Sequence, residues 1–199
     1  MTPLAISETL DRLAAEAAGE DVPLSWILTQ LHERAFGLFL LILGLPCCIP
    51  FLYGVPQIMA LPLMFIAAQL LIGRTVPWLP ARLGARRVTA ATLRALASRA
   101  RPWLRRLEAF SKPRLAALTR APLDQITGAA LLAFSASILL PLPLTNTVPG
   151  FAVVVIAVGL VQRDGILVIL GGVLGTAWIA SLVFAGASLI TLLRIWLGV

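Results

Sequence analysis

Charged side chains are scarce in this sequence. Only 13% of its 199 residues are Asp, Glu, Lys or Arg, 59% are hydrophobic, and the mean hydropathy is +0.95. A soluble globular domain carries about 25% charged residues, and polar residues this few could not cover so much apolar material in water. The composition therefore excludes an ordinary soluble domain and predicts an integral membrane protein.

Residues that perform polar chemistry are also few. The chain has one histidine, His32, and neither paired carboxylates within an apolar segment nor a Gly-rich phosphate loop. Glycosyl and phosphoryl transfer generally need carboxylates, a metal or a phosphate cradle. We therefore predict that the chain is not an enzyme, that it holds no metal or cofactor, and that His32 has a structural role.

The two cysteines, Cys47 and Cys48, are adjacent in the chain. Adjacent cysteines rarely form a disulfide because the geometry is strained, so we interpret both as small apolar side chains. The N-terminal sequence MTPLAISETLDRLAAE has neither the positive leader nor the apolar stretch of a signal peptide. The membrane segments are thus expected to direct their own insertion.

Long uncharged runs are what the sequence does contain. Residues 35–73, 125–162 and 165–193 hold no Asp, Glu, Lys or Arg, and a helix needs about 20 apolar residues to cross a bilayer. The first two runs are long enough for a helical hairpin each, and the third for one long helix or two broken ones. The predicted fold is an all-α membrane protein with five apolar segments.

Changes in composition divide the chain into five parts. These are amphipathic N-terminal helices (1–34), a first proline-broken hairpin (35–73), a basic amphipathic region (74–122), a second proline-broken hairpin (123–162) and a C-terminal membrane helix or broken pair (163–199). The second N-terminal helix is expected to start near Pro23 and to run into the bilayer interface through His32, Glu33 and Arg34.

The basic region holds about twelve of the chain's 16 Lys and Arg residues against one acid, Glu108. Leu93, Leu96, Ala100, Leu104 and Leu107 recur at helical spacing, and a basic face remains for contact with anionic lipid: Arg94, Arg101 and Arg105. This pattern predicts an interfacial helix on the cytoplasmic side of the membrane. No nucleic-acid recognition motif accompanies it, so we expect no nucleic-acid partner.

Prolines interrupt both hairpins, and they do so in register. A shift of about 93 residues places Pro50 on Pro143, Pro56 on Pro149 and Gln69 on Gln162, which indicates an internal repeat. Proline removes a backbone donor, and broken backbone inside a bilayer is tolerated only where protein or water satisfies it. The predicted helix breaks are Pro46, Pro50, Pro56, Pro141, Pro143 and Pro149.

Paired broken helices are the best sequence indication of a central binding site in a membrane protein. The candidate binding residues are the polar groups at or near these breaks: Thr145, Asn146, Thr147, Gln57, Gln69, Gln162, Arg163 and Asp164. Two alternatives remain open. The segment around Asn146 equally fits a periplasmic turn, and Arg163–Asp164–Gly165 fits a cytoplasmic turn in which Asp164 caps the next helix.

The order of four motifs resembles the ExoD family of bacterial exopolysaccharide-synthesis proteins. The motifs are PWLPARL at 77–83, KPRLAAL at 112–118, LPLPLTNTVPG at 140–150 and GLVQRDG at 159–165. The resemblance implies a multi-pass inner-membrane protein linked to exopolysaccharide production, with no catalytic residues to carry over. The pair Cys47–Cys48 is a departure that puts any shared chemistry of that loop in doubt.

Two functions fit these features. A scaffold or regulator of exopolysaccharide synthesis or export needs no polar pathway, whereas a transporter of a small solute or ion would use the polar groups at the paired breaks. We expect membrane lipids, a second copy of the chain in a dimer and the exopolysaccharide machinery as partners. The repeats are parallel if both hairpins cross fully, and inverted if residues 88–106 also enter the bilayer.

Overall fold

The structure is a computed structural model, and it describes residues 6–17, 21–50, 54–111, 114–120, 122–140 and 146–197. Most of these residues are helical. The elements are α1 (Ile6–Glu16), β1 (Val22–Pro23), α2 (Leu24–Leu31), α3 (Arg34–Gly44), a 3-10 turn (Leu45–Cys48), α4 (Val55–Leu71), α5 (Ala81–Gly84), β2 (Arg87–Val88), α6 (Ala90–Phe110), a second 3-10 turn (Ala116–Thr119), α7 (Leu123–Ile138), α8 (Thr147–Gln162) and α9 (Gly165–Leu197).

The five predicted apolar segments correspond to α3, α4, α7, α8 and α9. The first four form a bundle in which α3 packs on α8 and α4 packs on α7, and the start of α9 covers α8 and α7. The bundle core is almost wholly apolar, with Phe36, Leu63, Leu131, Phe134 and Ile156 at its centre. The all-helical architecture predicted from the uncharged runs is therefore present.

Helix length distinguishes α9 from the bundle helices. At about 1.5 Å per residue, the 33 residues of α9 extend roughly 50 Å, against about 24 to 26 Å for the 16 or 17 residues of α4, α7 and α8. Within the described ranges, α9 alone is long and apolar enough to cross a membrane. If the bent pair of α2 and α3 is taken as a single span, it adds a second helix segment that could cross.

Glycines permit close contacts in both helix pairs of the bundle, α3 on α8 and α4 on α7. A shift of 93 residues would place α3 on α7 and α4 on α8. A Cβ at Gly37, near the start of α3, would lie 2.8 Å from the carbonyl oxygen of Ala157 on α8, and one at Gly128, near the start of α7, would lie 2.4 Å from the nitrogen of Leu71. The repeat itself stays a prediction.

The prediction that both proline-rich connections are non-helical is wrong in part. Pro46 lies in the 3-10 turn, and Pro56 and Pro149 lie within the first turns of α4 and α8, while exposed Pro50 lies between helices. First-turn backbone N–H groups have no partner within the helix, so proline costs nothing there. Pro141 and Pro143 fall outside the described residues.

The N-terminal entry helix is not continuous. It divides into α2 and α3, and the chain bends by 113° between them at His32, whose positive φ of 50° ends the first helix. A Nδ1 contact of 3.2 Å to the carbonyl oxygen of Gln30 accompanies this turn. His32 therefore marks a sharp change of direction, which the run of polar residues at 32–34 did not reveal.

A second cluster covers one end of the bundle and corrects the prediction for the basic helix. The apolar face of α6, with Leu93, Ala97 and Leu104 buried, packs on Ile6 and Leu10 of α1 rather than facing lipid. Leu96, assigned to that face from the sequence, is 58% exposed. Two amphipathic helices thus cover each other, which hydrophobic spacing within one helix cannot show.

A small strand pair ties this layer together. Val22 pairs with Val88 and Pro23 with Arg87 in an antiparallel ladder of two residues, and the Leu24 nitrogen donates to the carbonyl oxygen of Arg86 at 2.9 Å. The all-α prediction missed this ladder because two residues are too few to produce an alternating sequence pattern.

Candidate functional site

The two glutamines of the first hairpin have local partners. Gln57 accepts a 3.0 Å hydrogen bond from the backbone of Gly54, whose φ of 82° favours glycine, and so helps to start α4. Gln69 is 5% exposed and binds Trp78 twice, accepting from its N–H and donating to its carbonyl oxygen. Both hydrogen bonds of Gln69 go to Trp78, so Gln69 holds the segment that follows α4.

The polar segment of the second hairpin is placed differently. Asn146 precedes α8 and is 8% exposed, and its Oδ1 accepts no hydrogen bond from the described residues. Thr147 is the half-buried first residue of α8, and Thr145 lies outside the described residues.

The bundle also contains a buried hydroxyl that sequence reasoning missed. Ser135 on α7 has no exposed surface, and its Oγ contacts no partner in the described part of the chain. Its neighbour Ser137 instead donates to the carbonyl oxygen of Phe134 at 2.7 Å. In an apolar run such a serine resembles any small helix-packing residue, so only its burial and missing partner distinguish it.

Charged groups meet at the C-terminal end of α8, where α3, α6 and α9 come together. Arg163 has a left-handed backbone conformation (φ 55°) at the end of α8, and its Nη2 lies 3.8 Å from Glu33 Oε2. Asp164 Oδ1 accepts from the backbone of Ile166 at 3.0 Å, which caps α9, while Oδ2 accepts from Ser111 Oγ at 3.0 Å. The helix-capping interpretation of Asp164 is confirmed.

Arg34 is part of the same cluster and was not selected from the sequence as a site residue. Its side chain is only 9% exposed, and Nη1 donates to Thr9 Oγ1 over 3.3 Å. Burial and the positive charge of Arg163 lower the pKa of Arg34, whereas the charge of Glu108 raises it. In the sequence, Arg34 directly precedes the apolar run 35–73. A charge abutting an apolar run was the signal available in the sequence.

The three arginines of the predicted basic face are exposed on α6. Arg101 pairs with Asp11 of α1 at 3.0 Å, with both side chains largely in solvent, so this ion pair contributes little stability. The opposite side of α6 is buried on α1. A contact with lipid would therefore use the charges of Arg94, Arg101 and Arg105 rather than insertion of the apolar face.

An apolar groove of about 270 Å³ lies on the flank of the bundle between α7 and α9. Its lining includes Leu123, Thr127, Ile156 and Gly172. Among the described residues, no cluster of three His, Cys, Asp or Glu side chains is arranged to hold a metal. Cys47 and Cys48 are free thiols, the first of them buried.

Comparisons with known proteins agree with the sequence motifs. The family described as "Exopolysaccharide synthesis, ExoD" matches residues 6–184. The uncharacterized protein slr1875 of Synechocystis sp. is 30% identical over 96% of this chain and 95% of its own length. Protein ExoD of Rhizobium meliloti is 29% identical over 82% of this chain and 70% of its own length.

No solved structure matches the chain, and its relationships are established by sequence similarity. The family match covers nine-tenths of the chain, from α1 into α9, and thus includes the bundle, the basic region and the charged cluster. The long apolar α9 fits an association with membranes. This chain belongs to the ExoD family of exopolysaccharide-synthesis proteins.

Proposed function

We propose that the chain is a multi-pass protein of the bacterial inner membrane that supports exopolysaccharide synthesis or export as a non-catalytic scaffold or regulator. The C-terminal half of α9 (residues 180–197) is the observation that carries this proposal. Leu182 is half-buried there and every other residue is exposed, and the side chains are apolar except for Ser181, Ser188, Thr191 and Arg194. This half of α9 extends past the bundle and offers a long surface to other membrane helices.

A scaffold must bind other proteins inside the bilayer, where lipid tails are as apolar as leucine. Helices there associate by close packing of small residues rather than by the hydrophobic effect. Ala177, Ser181 and Ala185 recur every fourth residue along one exposed face of α9. Gly171 and Gly175 already approach α8 and Phe134 closely, so the outward face supports binding to a helix of the exopolysaccharide machinery or of a second copy.

Substituting Ala185 tests this role. Ala185→Leu adds bulk on the small-residue face and is expected to reduce exopolysaccharide output in complemented deletion cells at a normal membrane level of the protein. Val183→Leu is the matched control, because Val183 is 67% exposed and lies about 200° around the helix from Ala185. Wild-type output from both variants would contradict the scaffold role.

A second candidate function, transport of a small solute or ion, draws on the buried polar atoms of the bundle. Ser135 Oγ and Asn146 Oδ1 have no described partner although both side chains are buried, and such groups in membrane proteins often mark a pathway. Sealed proteoliposomes given gradients of KCl and of glucose would test it. Transport by wild-type protein that Asn146→Leu abolishes and Ala185→Leu preserves would favour the transporter over the scaffold.

A further inference from the structure

The charged cluster at the junction of α3 and α8 contains two arginines with unused hydrogen-bonding capacity. Arg34 is buried, its one hydrogen bond, to Thr9 Oγ1, is long at 3.3 Å, and its Nε–H has no acceptor among the described residues. A guanidinium stays protonated in proteins and presents five N–H donors. A buried guanidinium therefore needs several acceptors, and the described residues give this one only Thr9 Oγ1.

Arg163 also has an N–H group without an acceptor. Its Nε is buried and unpartnered within the described ranges, and its nearest carboxylate oxygen, on Glu33, lies at 3.8 Å, beyond hydrogen-bond distance. Gln162 precedes it at the end of α8, is 9% exposed, and has a buried Nε2 that also reaches no described acceptor. Three donor nitrogens without acceptors among the described residues thus occur at or beside one junction.

Two carboxylates of the cluster, Glu108 and Asp164, accept hydrogen bonds from neutral donors among the described residues, whereas Glu33 lies 3.8 Å from Arg163. Both oxygens of Glu108 accept from Ser7, at 2.9 Å from its backbone and 3.0 Å from its hydroxyl. Both oxygens of Asp164 are used by Ser111 and by the α9 cap. The acids lower the electrostatic potential around the arginines, but their described hydrogen bonds go to other residues. The positive charges of Arg34 and Arg163 act unfavourably on each other.

We propose that Arg34 and Arg163 together bind a phosphate group as a shared oxyanion ligand. A phosphate has several acceptor oxygens, which suit the parallel N–H groups of a guanidinium, and its charge would offset the repulsion between the two arginines. The Arg163 side chain is 22% exposed, which gives access from solvent or from the membrane surface.

Two sources share this chemistry, a phosphorylated lipid headgroup and free inorganic phosphate. The site does not depend on α9 binding a partner, so it can fail or hold independently of the scaffold role. Binding would be measured with the full-length chain, by isothermal titration with inorganic phosphate in detergent and by 31P NMR in nanodiscs of phosphatidylcholine with or without phosphatidic acid. KCl at matched ionic strength controls for charge screening.

Arg163→Gln is the main variant, because Arg163 lies at a turn and is partly exposed, so its loss leaves the fold intact more readily than loss of Arg34. We expect phosphate affinity at least tenfold weaker in Arg163→Gln, partial rescue in Arg163→Lys, and wild-type affinity in Arg94→Gln, an exposed arginine on α6. Arg34→Gln adds a second test if it is folded.

Each outcome has a definite meaning. Saturable binding of inorganic phosphate that depends on Arg163 supports a site for soluble phosphate, and binding of phosphatidic acid alone supports a lipid headgroup site. The proposal is overturned if neither form of phosphate binds the wild-type chain. It is also overturned if Arg163→Gln binds phosphate as tightly as the wild-type protein and Arg94→Gln do.

Discussion

The buried polar side chains are of two kinds: some form hydrogen bonds that support the fold, and others have an oxygen without a described hydrogen-bond partner. Gln69 and Asp164 use their side-chain oxygens in hydrogen bonds to nearby chain segments. Asn146 and Ser135 each bury an oxygen that forms no hydrogen bond with a described residue. Replacing a hydrogen-bonded group such as Gln69 lowers stability because its partners are left unpaired. A group without a partner, such as Asn146, is buried at a desolvation cost, and an apolar replacement removes that cost.

Gln69→Leu is the clearest stability prediction at this scale. It leaves the backbone N–H and carbonyl of Trp78 without their partner, so the free energy of unfolding should fall by about 1 to 3 kcal/mol. Gln57→Leu is the control, because its single bond to Gly54 is exposed and its loss should cost roughly 0.5 kcal/mol. Denaturant unfolding in detergent measures both, and an equal loss would refute the assigned role of Gln69.

Asn146→Leu should behave in the opposite way. Removing an unpartnered buried amide oxygen is expected to leave stability unchanged or to raise it by up to about 1 kcal/mol. Thermal unfolding in detergent measures this, together with exopolysaccharide output in cells. Reduced output at full stability would assign Asn146 to a functional site. A loss of more than about 1 kcal/mol in the free energy of unfolding would show that Asn146 Oδ1 does have a hydrogen-bond partner.

At the scale of the elements, helices pack through glycines that cannot carry a side chain. A Cβ at Gly128 would lie 2.4 Å from the backbone nitrogen of Leu71, where no flexible side chain can move aside. Gly172 on α9 has no atom within 4 Å of the same position. The two glycines therefore have opposite roles although both lie in apolar helices.

Gly128→Ala should accordingly destabilise the protein by about 3 kcal/mol or more, because α7 and α4 must separate. Gly172→Ala should stabilise it by up to about 1 kcal/mol through the higher helix propensity of alanine. The pair is compared by thermal unfolding in one detergent. Similar effects of the two substitutions would show that the close α4–α7 contact is not real.

Some of this architecture is readable from the sequence and some is not. The uncharged runs give the five apolar helices, and Asp164 is readable as a cap because it follows a helix end and precedes an apolar run. The α1–α6 pairing joins residues about 90 positions apart, and the break at His32 depends on one backbone angle. Likewise, only the folded chain shows that Arg34 is buried and that Arg163 lies 3.8 Å from Glu33, the residue before Arg34.

The whole molecule has a polar end and a long apolar extension. The layer of α1, α2 and α6 covers one end of the bundle, α9 starts at the charged cluster there, and Trp196 lies near the far end of α9, 82% exposed. About 50 Å of helix exceeds the roughly 30 Å hydrocarbon core. A membrane-spanning α9 therefore places Arg94 and Trp196 on opposite sides of the bilayer.

Thiol labelling in intact cells tests this arrangement most directly. In a chain whose Cys47 and Cys48 are replaced by serine, single cysteines are introduced as Arg94→Cys, Arg101→Cys, Arg105→Cys and Trp196→Cys and treated with a membrane-impermeant maleimide. We expect Trp196→Cys to react from outside the inner membrane and the three α6 variants to react only after the membrane is opened. Labelling of Arg94→Cys from the periplasmic side, or equal labelling of both ends of α9, would contradict the account.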